Sequence, residues 1–294
     1  MALFRTLLFA PGNHARRVEK VFTVGADGVI LDLEDAVAVA EKPGTRKLIV
    51  AALQRPRTCR AYVRVNAMDT PFCYADLVEV VGPGLDGIIL PKVETASGLL
   101  AIDWVLEQLE RERGLARRSI DLVPIIETAR GIANLREIMG AGSRVRRCSF
   151  GAGDFTFDAN VVWTRDEAEL AHARAQMVIQ SKANGLEAPL DSVWVDLQDM
   201  DGLEASAKAV KRMGFQGKTC IHPNQIPVIN RVFSPTPEEL AFARKVVDAF
   251  AAAEAAGSAA FQIDGKFVDY PIVYRAQRIV KDQEEIEAAG RAAG

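Results

Sequence analysis

Residues 86–113 read DGIILPKVETASGLLAIDWVLEQLERER and contain the repeating unit of the whole chain. Asp86–Pro91 is a short apolar run of strand length, and Thr95–Arg113 carries apolar residues at helical spacing. The same alternation recurs on both sides. Upstream, Leu3–Ala10 precedes a helical segment from His14 to Val24, Gly28–Leu33 precedes Glu41–Gln54, and Arg60–Asn66 precedes Phe72–Val81. Downstream, Asp121–Ile126 precedes Ala129–Met139, and Arg147–Gly151 precedes Arg165–Asn184. Val193–Leu197 then precedes Leu203–Met213, and Phe215–His222 precedes Asn224–Phe233. Alternating strands and helices imply a parallel sheet. Eight such units over about 230 residues fit a closed (β/α)8 TIM barrel, whose usual size is roughly 250 residues. An open doubly wound sheet predicts a Gly-rich phosphate loop after the first strand, and Pro11-Gly12-Asn13-His14 is not Gly-x-Gly-x-x-Gly.

The repeat stops near residue 233, so residues 1–233 are expected to form the catalytic barrel and 234–294 a C-terminal extension. Ser234-Pro235-Thr236-Pro237-Glu238-Glu239 reads as a helix start, with acids suited to the positive helix end. An Ala-rich helix follows to Ala256, and Gly257 stops it. Phe261–Val268 contains the hairpin signal Asp264-Gly265, and a last helix covers about Ile272–Ala289. This helix–hairpin–helix tail is expected to pack on the barrel or on a neighbouring subunit.

Composition sets the outer limits. The 294 residues are 49% hydrophobic and 26% charged, which excludes a disordered, collagen-like or disulfide-stapled chain. Thirty-six Lys+Arg against 39 Asp+Glu give a net charge of −3, so there is no electrostatic case for nucleic acid or an anionic membrane. Small anions remain possible ligands, because they need only a few local cations. Cys59, Cys73, Cys148 and Cys220 are scattered without a Cys-x-x-Cys pair, as expected of free thiols in a reducing cytosol. Thr6–Ala10 is too short for a signal-peptide core and is broken by Pro11-Gly12. No stretch approaches the roughly 18–20 apolar residues of a membrane span, and a cytoplasmic location is expected.

In such a barrel the chemistry sits at the C-terminal strand ends. The runs end in Asp32-Leu33-Glu34-Asp35, Arg64-Val65-Asn66, Lys92-Val93-Glu94, Glu127, Gly151-Ala152-Gly153-Asp154 and Ile221-His222-Pro223. Charges on apolar runs must be paired or bound to a cation. Glu127 and Asp154 end neighbouring strands, where two carboxylates repel unless something positive separates them. A divalent ion, Mg²⁺ completed by water and substrate oxygens, meets that need. Capping of the following helices by Glu127-Thr128 and Asp154 is the competing reading. Zinc fits less well, with three histidines and no spaced Cys or His pair. Arg64 grips either an anion or the acids Glu34 and Asp35. Lys92 is a carboxylate partner or, less simply, a Schiff-base lysine. Arg16, Arg17 and Lys20 place three cations near the barrel mouth, either to hold phosphates or as a solvated helix face. Asp269, before Tyr270-Pro271, reads as a cap of the last helix.

These residues carry a resemblance. Phe9-Ala10-Pro11-Gly12, Ile30-Leu31-Asp32-Leu33-Glu34-Asp35-Ala36-Val37, Val63-Arg64-Val65-Asn66, Leu90-Pro91-Lys92-Val93-Glu94, Ile126-Glu127-Thr128-Ala129 and Phe150-Gly151-Ala152-Gly153-Asp154 resemble the citrate lyase β-subunit-like family. That family belongs to the HpcH/HpaI aldolase and malyl-CoA lyase group of phosphoenolpyruvate/pyruvate-type barrels. The match continues through Asp199–Leu203, Gly217–Ile226 and Gly265–Pro271 and covers nearly the whole chain in order. It implies a lyase that cleaves citryl-, malyl-, methylmalyl- or citramalyl-CoA to acetyl-CoA or propionyl-CoA and a 2-oxo acid. It implies Mg²⁺ on Glu127 and Asp154, substrate at Arg64, CoA near Arg16, Arg17 and Lys20, and Ile221-His222 lining that site. Asp269 matches an acid supplied by a neighbouring subunit of a homotrimer, with the tail as a lid. Glu34 and Asp35 are expected to order metal-bound water and Arg64. A malyl-CoA-type thioesterase, and a citrate lyase β subunit acting on an acyl-carrier-bound substrate, are the alternatives. The sequence departs from the family at Gly153, where many relatives carry a larger residue, and over Phe155–Asn160, which bears on substrate identity.

Overall fold

In the computed structural model, residues 4–255 and 260–293 are described. Eight parallel strands close into a barrel: β1 (Thr6–Pro11), β2 (Gly28–Asp32), β3 (Arg60–Arg64), β4 (Gly87–Leu90), β5 (Asp121–Ile126), β6 (Ser149–Phe150), β7 (Leu190–Asp191) and β8 (Gly217–Cys220). Closure is made where Thr6, Leu7 and Leu8 of β1 register with Lys218, Thr219 and Cys220 of β8. Each strand is followed by helix: α1 (Ala15–Val21), α2 (Lys42–Leu53), α3 (Cys73–Val80), α4 (Ala96–Glu112), α5 (Ala129–Ala133) with α6 (Leu135–Met139), α7 (Ala152–Asp158) with α8 (Ala171–Ala183), α9 (Met200–Met213) and α10 (Ile226–Phe233). Val29, Val63, Ile88, Leu122 and Leu190 are fully buried, as strands sheathed on both faces require.

Helix starts follow local chemistry. Thr95 accepts a hydrogen bond from Gly98 N at 3.1 Å, Thr128 from Gly131 N at 3.0 Å and Asp199 from Gly202 N at 2.9 Å. Thr128, and not Glu127, therefore caps α5.

Two expectations are corrected. The seventh strand is Leu190–Asp191, before the Val193–Leu197 run that periodicity selects. Asp191 on this strand and Lys218 beside it on β8 are both fully buried and ion-paired, so the true strand is polar. The apolar run past it forms a rim loop, in which Trp194 is buried and Val195 exposed. In the sixth unit an extra helix, α7, begins directly after the strand, placing Asp154 in its first turn.

By contact, residues 4–230 form one compact unit and the chain from Arg231 onward belongs to another. The second contains α11 (Pro237–Ala255), the hairpin strands β9 (Phe261–Ile263) and β10 (Lys266–Val268), and α12 (Tyr270–Ala293). Thr236 and Glu239 form a reciprocal capping box at the start of α11: Glu239 N donates to Thr236 Oγ1 at 3.1 Å, and Thr236 N to Glu239 Oε2 at 2.9 Å. The hairpin turns at Asp264 (φ 49°) and Gly265 (φ 76°), the left-handed pair of a type I′ turn. Val246, Val268 and Val273 form the centre of this unit's core. The helix stop expected at Gly257 and the strand start at Leu3 lie outside the described residues. Among the described residues no helix is long and apolar enough to cross a membrane.

Candidate active site

The C-terminal ends of the strands carry a dense charge network. Register sets Asp32 of β2 opposite Arg64 of β3. Asp32 grips the guanidinium in a bidentate pair, accepting Arg64 Nε at 2.8 Å and Nη2 at 2.7 Å. It also accepts the backbone N–H groups of Glu34 at 2.9 Å and Ala36 at 3.1 Å, so one carboxylate turns the loop and orients the arginine. Burial alone would raise Asp32, but Arg64 holds it below the usual carboxylate range. The third nitrogen, Arg64 Nη1, lies 2.9 Å from Glu34 Oε2 and 3.6 Å from Asp35 Oδ2. The guanidinium stacks 4.9 Å above the Phe9 ring. Burial opposes its charge, yet Asp32, Glu34 and Glu127 push its pKa up, so Arg64 is a fixed cation.

Lys92 joins the carboxylates. Its Nζ donates to Glu34 Oε1 at 2.6 Å and lies 3.8 Å from Asp154 Oδ1. These partners hold the ammonium above its ordinary pKa despite partial burial, the opposite of what a Schiff-base nucleophile needs. The Lys92 backbone sits at φ 50°, a left-handed conformation unusual for a side-chain-bearing residue. That conformation directs its N–H to Glu127 Oε1 at 2.8 Å.

Glu127 is 2% exposed. Its pKa is pushed up to about 8, first by burial and then by the charges of Asp154 and Glu34, against the lowering effect of Arg64. Glu34 is likewise raised by burial. Both nearby cations are already committed, Arg64 to Asp32 and Glu34, and Lys92 to Glu34. Lys92 reaches Asp154 only at 3.8 Å, and two cations stand among five carboxylates, so the set keeps an excess of negative charge that suits a hard divalent cation. Among the described residues no group of three or more His, Cys, Asp or Glu converges on one point. A closed three- or four-ligand metal site is therefore not present among the described residues, and a hard ion held by two carboxylates would need water and substrate oxygens to complete its shell.

Gly151 makes this possible. A Cβ there would lie 2.6 Å from Glu127 Cβ and would also strike Glu127 Oε2. Gly151→Ala is expected to destabilise the barrel by about 1–3 kcal/mol and to push the Glu127 carboxylate aside. Divalent-ion affinity should fall by about 10–100-fold, read by calorimetric titration.

Three elements escaped the reading of the sequence. Asp32 becomes prominent only through strand register. Lys42, 7% exposed, donates from Nζ to the carbonyls of Leu33 at 2.9 Å and Glu34 at 2.7 Å and to Asn66 Oδ1 at 2.5 Å, fixing the loop that carries Glu34. A lysine beside a helix start gives no sign of burial in sequence. Gly151 was visible only as a strand end.

The remaining expected residues lie on other elements, outside the network of Asp32, Arg64, Glu34, Lys92 and Glu127. Arg16, Arg17 and Lys20 are exposed on α1, and none of their side chains has an ion-pair partner among the described residues. Ile221 is exposed, and its N–H donates to Gln225 Oε1 at 3.0 Å. His222 Nδ1 accepts from Asn224 N at 3.2 Å, capping a short turn. Asp269 belongs to the second unit, where its carbonyl accepts the Ile272 and Val273 N–H groups at 3.1 and 3.0 Å at the start of α12.

Comparison with known proteins gives this geometry a family. The family model for HpcH/HpaI aldolase/citrate lyase matches residues 5–223. Citrate lyase subunit beta of Leuconostoc mesenteroides subsp. cremoris is 36% identical over 281 residues, 95% of this chain and 93% of the relative. L-malyl-CoA/beta-methylmalyl-CoA lyase of Cereibacter sphaeroides is 34% identical over 306 residues, covering 97% of this chain and 96% of that protein. A crystal structure of protein CitE from Mycobacterium tuberculosis, in complex with magnesium, acetoacetate and coenzyme A, superposes with a TM-score of 0.77 at 30% identity, covering 96% of this chain and 99% of that one. Since the family model spans almost the entire barrel and the relatives extend through the tail, the chain belongs to the HpcH/HpaI aldolase/citrate lyase family and is a lyase.

Proposed function

We propose that the protein is a Mg²⁺-dependent carbon–carbon lyase that cleaves a β-hydroxyacyl-CoA of the citryl, malyl, methylmalyl or citramalyl type into acetyl-CoA or propionyl-CoA and a 2-oxo acid. The observation that carries this reading is the cluster of Asp32, Glu34, Asp35, Glu127 and Asp154 around only the two cations Arg64 and Lys92, with Arg64 held in place by Asp32. The magnesium, acetoacetate and coenzyme A bound to the CitE relative support it.

Glu127 and Asp154 would hold the metal. Bound there, Mg²⁺ would supply Lewis acidity that lowers the pKa of the substrate hydroxyl, whose proton would leave to water ordered by Glu34 and Asp35 as the carbonyl of the 2-oxo acid forms. As the carbon–carbon bond breaks, its electron pair passes to the thioester half as an enolate. Arg64 stabilises that negative charge, and because Asp32 already fixes the guanidinium, little reorganisation is needed at that moment. Glu34 and Asp35 hold Arg64 and Lys92 in place and order water around the metal. Arg16, Arg17 and Lys20 meet the CoA phosphates, and Ile221 and His222 line the approach of the thioester. Asp269 from a neighbouring copy in a homotrimer, carrying a proton of its own, donates it to the enolate carbon and is reprotonated from solvent. The four free cysteines fit a reducing, cytoplasmic setting.

The test is a panel of CoA thioesters with and without Mg²⁺, with every product identified. Acetyl-CoA or propionyl-CoA plus a 2-oxo acid is the expected outcome; free CoA with intact hydroxy acid would mean hydrolysis instead. The 36%-identical citrate lyase subunit favours one second reading, a subunit that acts on a carrier-bound acyl group. Turnover of free CoA thioesters by the purified chain would count against it.

Asp269→Asn should retain metal binding while suppressing proton exchange at the acetyl-CoA methyl by about 100-fold or more. Mixing inactive Asp269→Asn and Asp154→Asn chains should restore activity. No recovery with demonstrated subunit mixing would make the site self-contained.

A further inference from the structure

The two cations of the acid cluster are held differently. The Arg64 side chain is 11% exposed, and Asp32 takes two of its nitrogens in a planar fork. The Lys92 side chain is 34% exposed, and its ammonium makes one close contact, with Glu34 Oε1 at 2.6 Å. Asp154 Oδ1 and Asp35 Oδ2 stand farther off, at 3.8 and 3.9 Å. The ammonium thus faces three carboxylates and is hydrogen-bonded to one.

The backbone of the same residue is fixed. At φ 50° its N–H points to Glu127 Oε1 at 2.8 Å, and the next N–H, of Val93, donates to the Ile125 carbonyl at 3.2 Å. Two successive N–H groups therefore pin the turn to β5 and to the carboxylate that follows it. The stem of Lys92 starts from this anchored point, and its four flexible carbons let the charged end swing. One residue orients Glu127 through its main chain and offers a movable positive charge to Asp154, the other acid of the pair. A divalent ion held between Glu127 and Asp154 would draw on the negative charge that this ammonium now faces, so the two cations oppose each other.

We propose that Lys92 is a positioning residue that serves as the stand-in cation of the acid cluster. Without metal its ammonium keeps Glu34 and Asp154 together, and when Mg²⁺ binds it withdraws from Asp154 toward Glu34 and solvent. The proposal rests on the lyase reading and adds to it how the metal pair is held before the ion arrives. At equilibrium Lys92 stabilises the metal-free protein and weakens Mg²⁺ binding by the same coupling.

The test titrates Mg²⁺ by calorimetry into the full chain, freed of divalent ions, and records melting temperatures with and without Mg²⁺. Lys92→Met keeps the stem length and the Cβ at the left-handed position and removes the charge. It should bind Mg²⁺ about tenfold more tightly than the wild type, the exposure of the ammonium having screened the repulsion to that level. Its metal-free melting temperature should fall by about 2–4 °C, and the rise on adding Mg²⁺ should be larger than in the wild type. Lys92→Gln, which retains a neutral donor for Glu34, should tighten binding likewise, and Lys92→Arg should stay within about threefold of the wild type. A lysine that only supported the fold would, on removal, lower stability and metal affinity together. Equal or weaker Mg²⁺ binding in both Lys92→Met and Lys92→Gln, beside normal binding in the wild type, keeps the lyase reading and overturns the role of Lys92. Tightening in Lys92→Arg to the level of Lys92→Met also overturns it, since the charge is then not the cause. A wild type that binds no Mg²⁺ removes the metal pair, and the stand-in role with it.

Discussion

Glu127→Gln is expected to lower Mg²⁺-dependent kcat/KM by about a thousandfold or more, which corresponds to about 4 kcal/mol of lost transition-state stabilisation. The substitution keeps the shape and the oxygen that accepts Lys92 N–H, and removes only the charge. Without metal, that charge is a burden. Glu127 ionises near pH 8 in the folded protein, against 4.5 for an ordinary glutamate. Between those values the folded state binds more protons than the unfolded chain, so this group's contribution makes metal-free stability fall as pH rises through that window and level off above about 8. Glu127→Gln should remove this pH dependence and raise the metal-free melting temperature at alkaline pH. Mg²⁺ should stabilise the wild type there and leave the variant unchanged. Activity and stability thus move in opposite directions, which a misfolded variant cannot imitate. Asp154→Asn should match the loss of activity with a smaller change in stability, since its side chain is 38% exposed. Full activity in either variant would remove the assigned metal pair.

Much of this site could be read because a barrel exposes chemistry where apolar runs end. Arg64, Glu127 and Asp154 each terminate or follow such a run, and the barrel brings those ends to one rim. Sequence left Arg64 between an anion and the acids of the next loop, and did not single out Asp32, because the bidentate pair depends on which residues register across β2 and β3. The contrast between Glu127 and Thr128 was equally hidden. Both could cap α5, and only the geometry gives the cap to Thr128 and the carboxylate to Lys92 N–H. Hydrophobic periodicity failed at β7 for a physical reason: a strand held by ion pairs does not look like a strand.

That polar strand carries the second large prediction, the loss of about 3–5 kcal/mol of stability in Asp191→Ala. Asp191 is fully buried and accepts Arg174 Nε at 2.8 Å and Nη2 at 3.0 Å, while Lys218 Nζ pairs with its Oδ2. Burial alone would raise Asp191, but Lys218 and Arg174 hold it below the usual carboxylate range. Glu167 completes the set, 2.9 Å from Arg174 Nη1 and accepting Ser206 Oγ at 2.6 Å. Two acids and two bases thus cancel between the sheet and helices α8 and α9. Removing Asp191 leaves two buried cations facing one carboxylate, and the cost comes from that stranded charge more than from the lost pair. Denaturant unfolding should show the loss directly, with a melting temperature lower by roughly 6–20 °C. The double variant Asp191→Leu/Lys218→Met should recover most of it, because it deletes one charge of each sign, fills the space and leaves Arg174 with Glu167. A single variant within about 1 kcal/mol of wild type, or a double variant no better than the single, would mean that water reaches this layer and screens it.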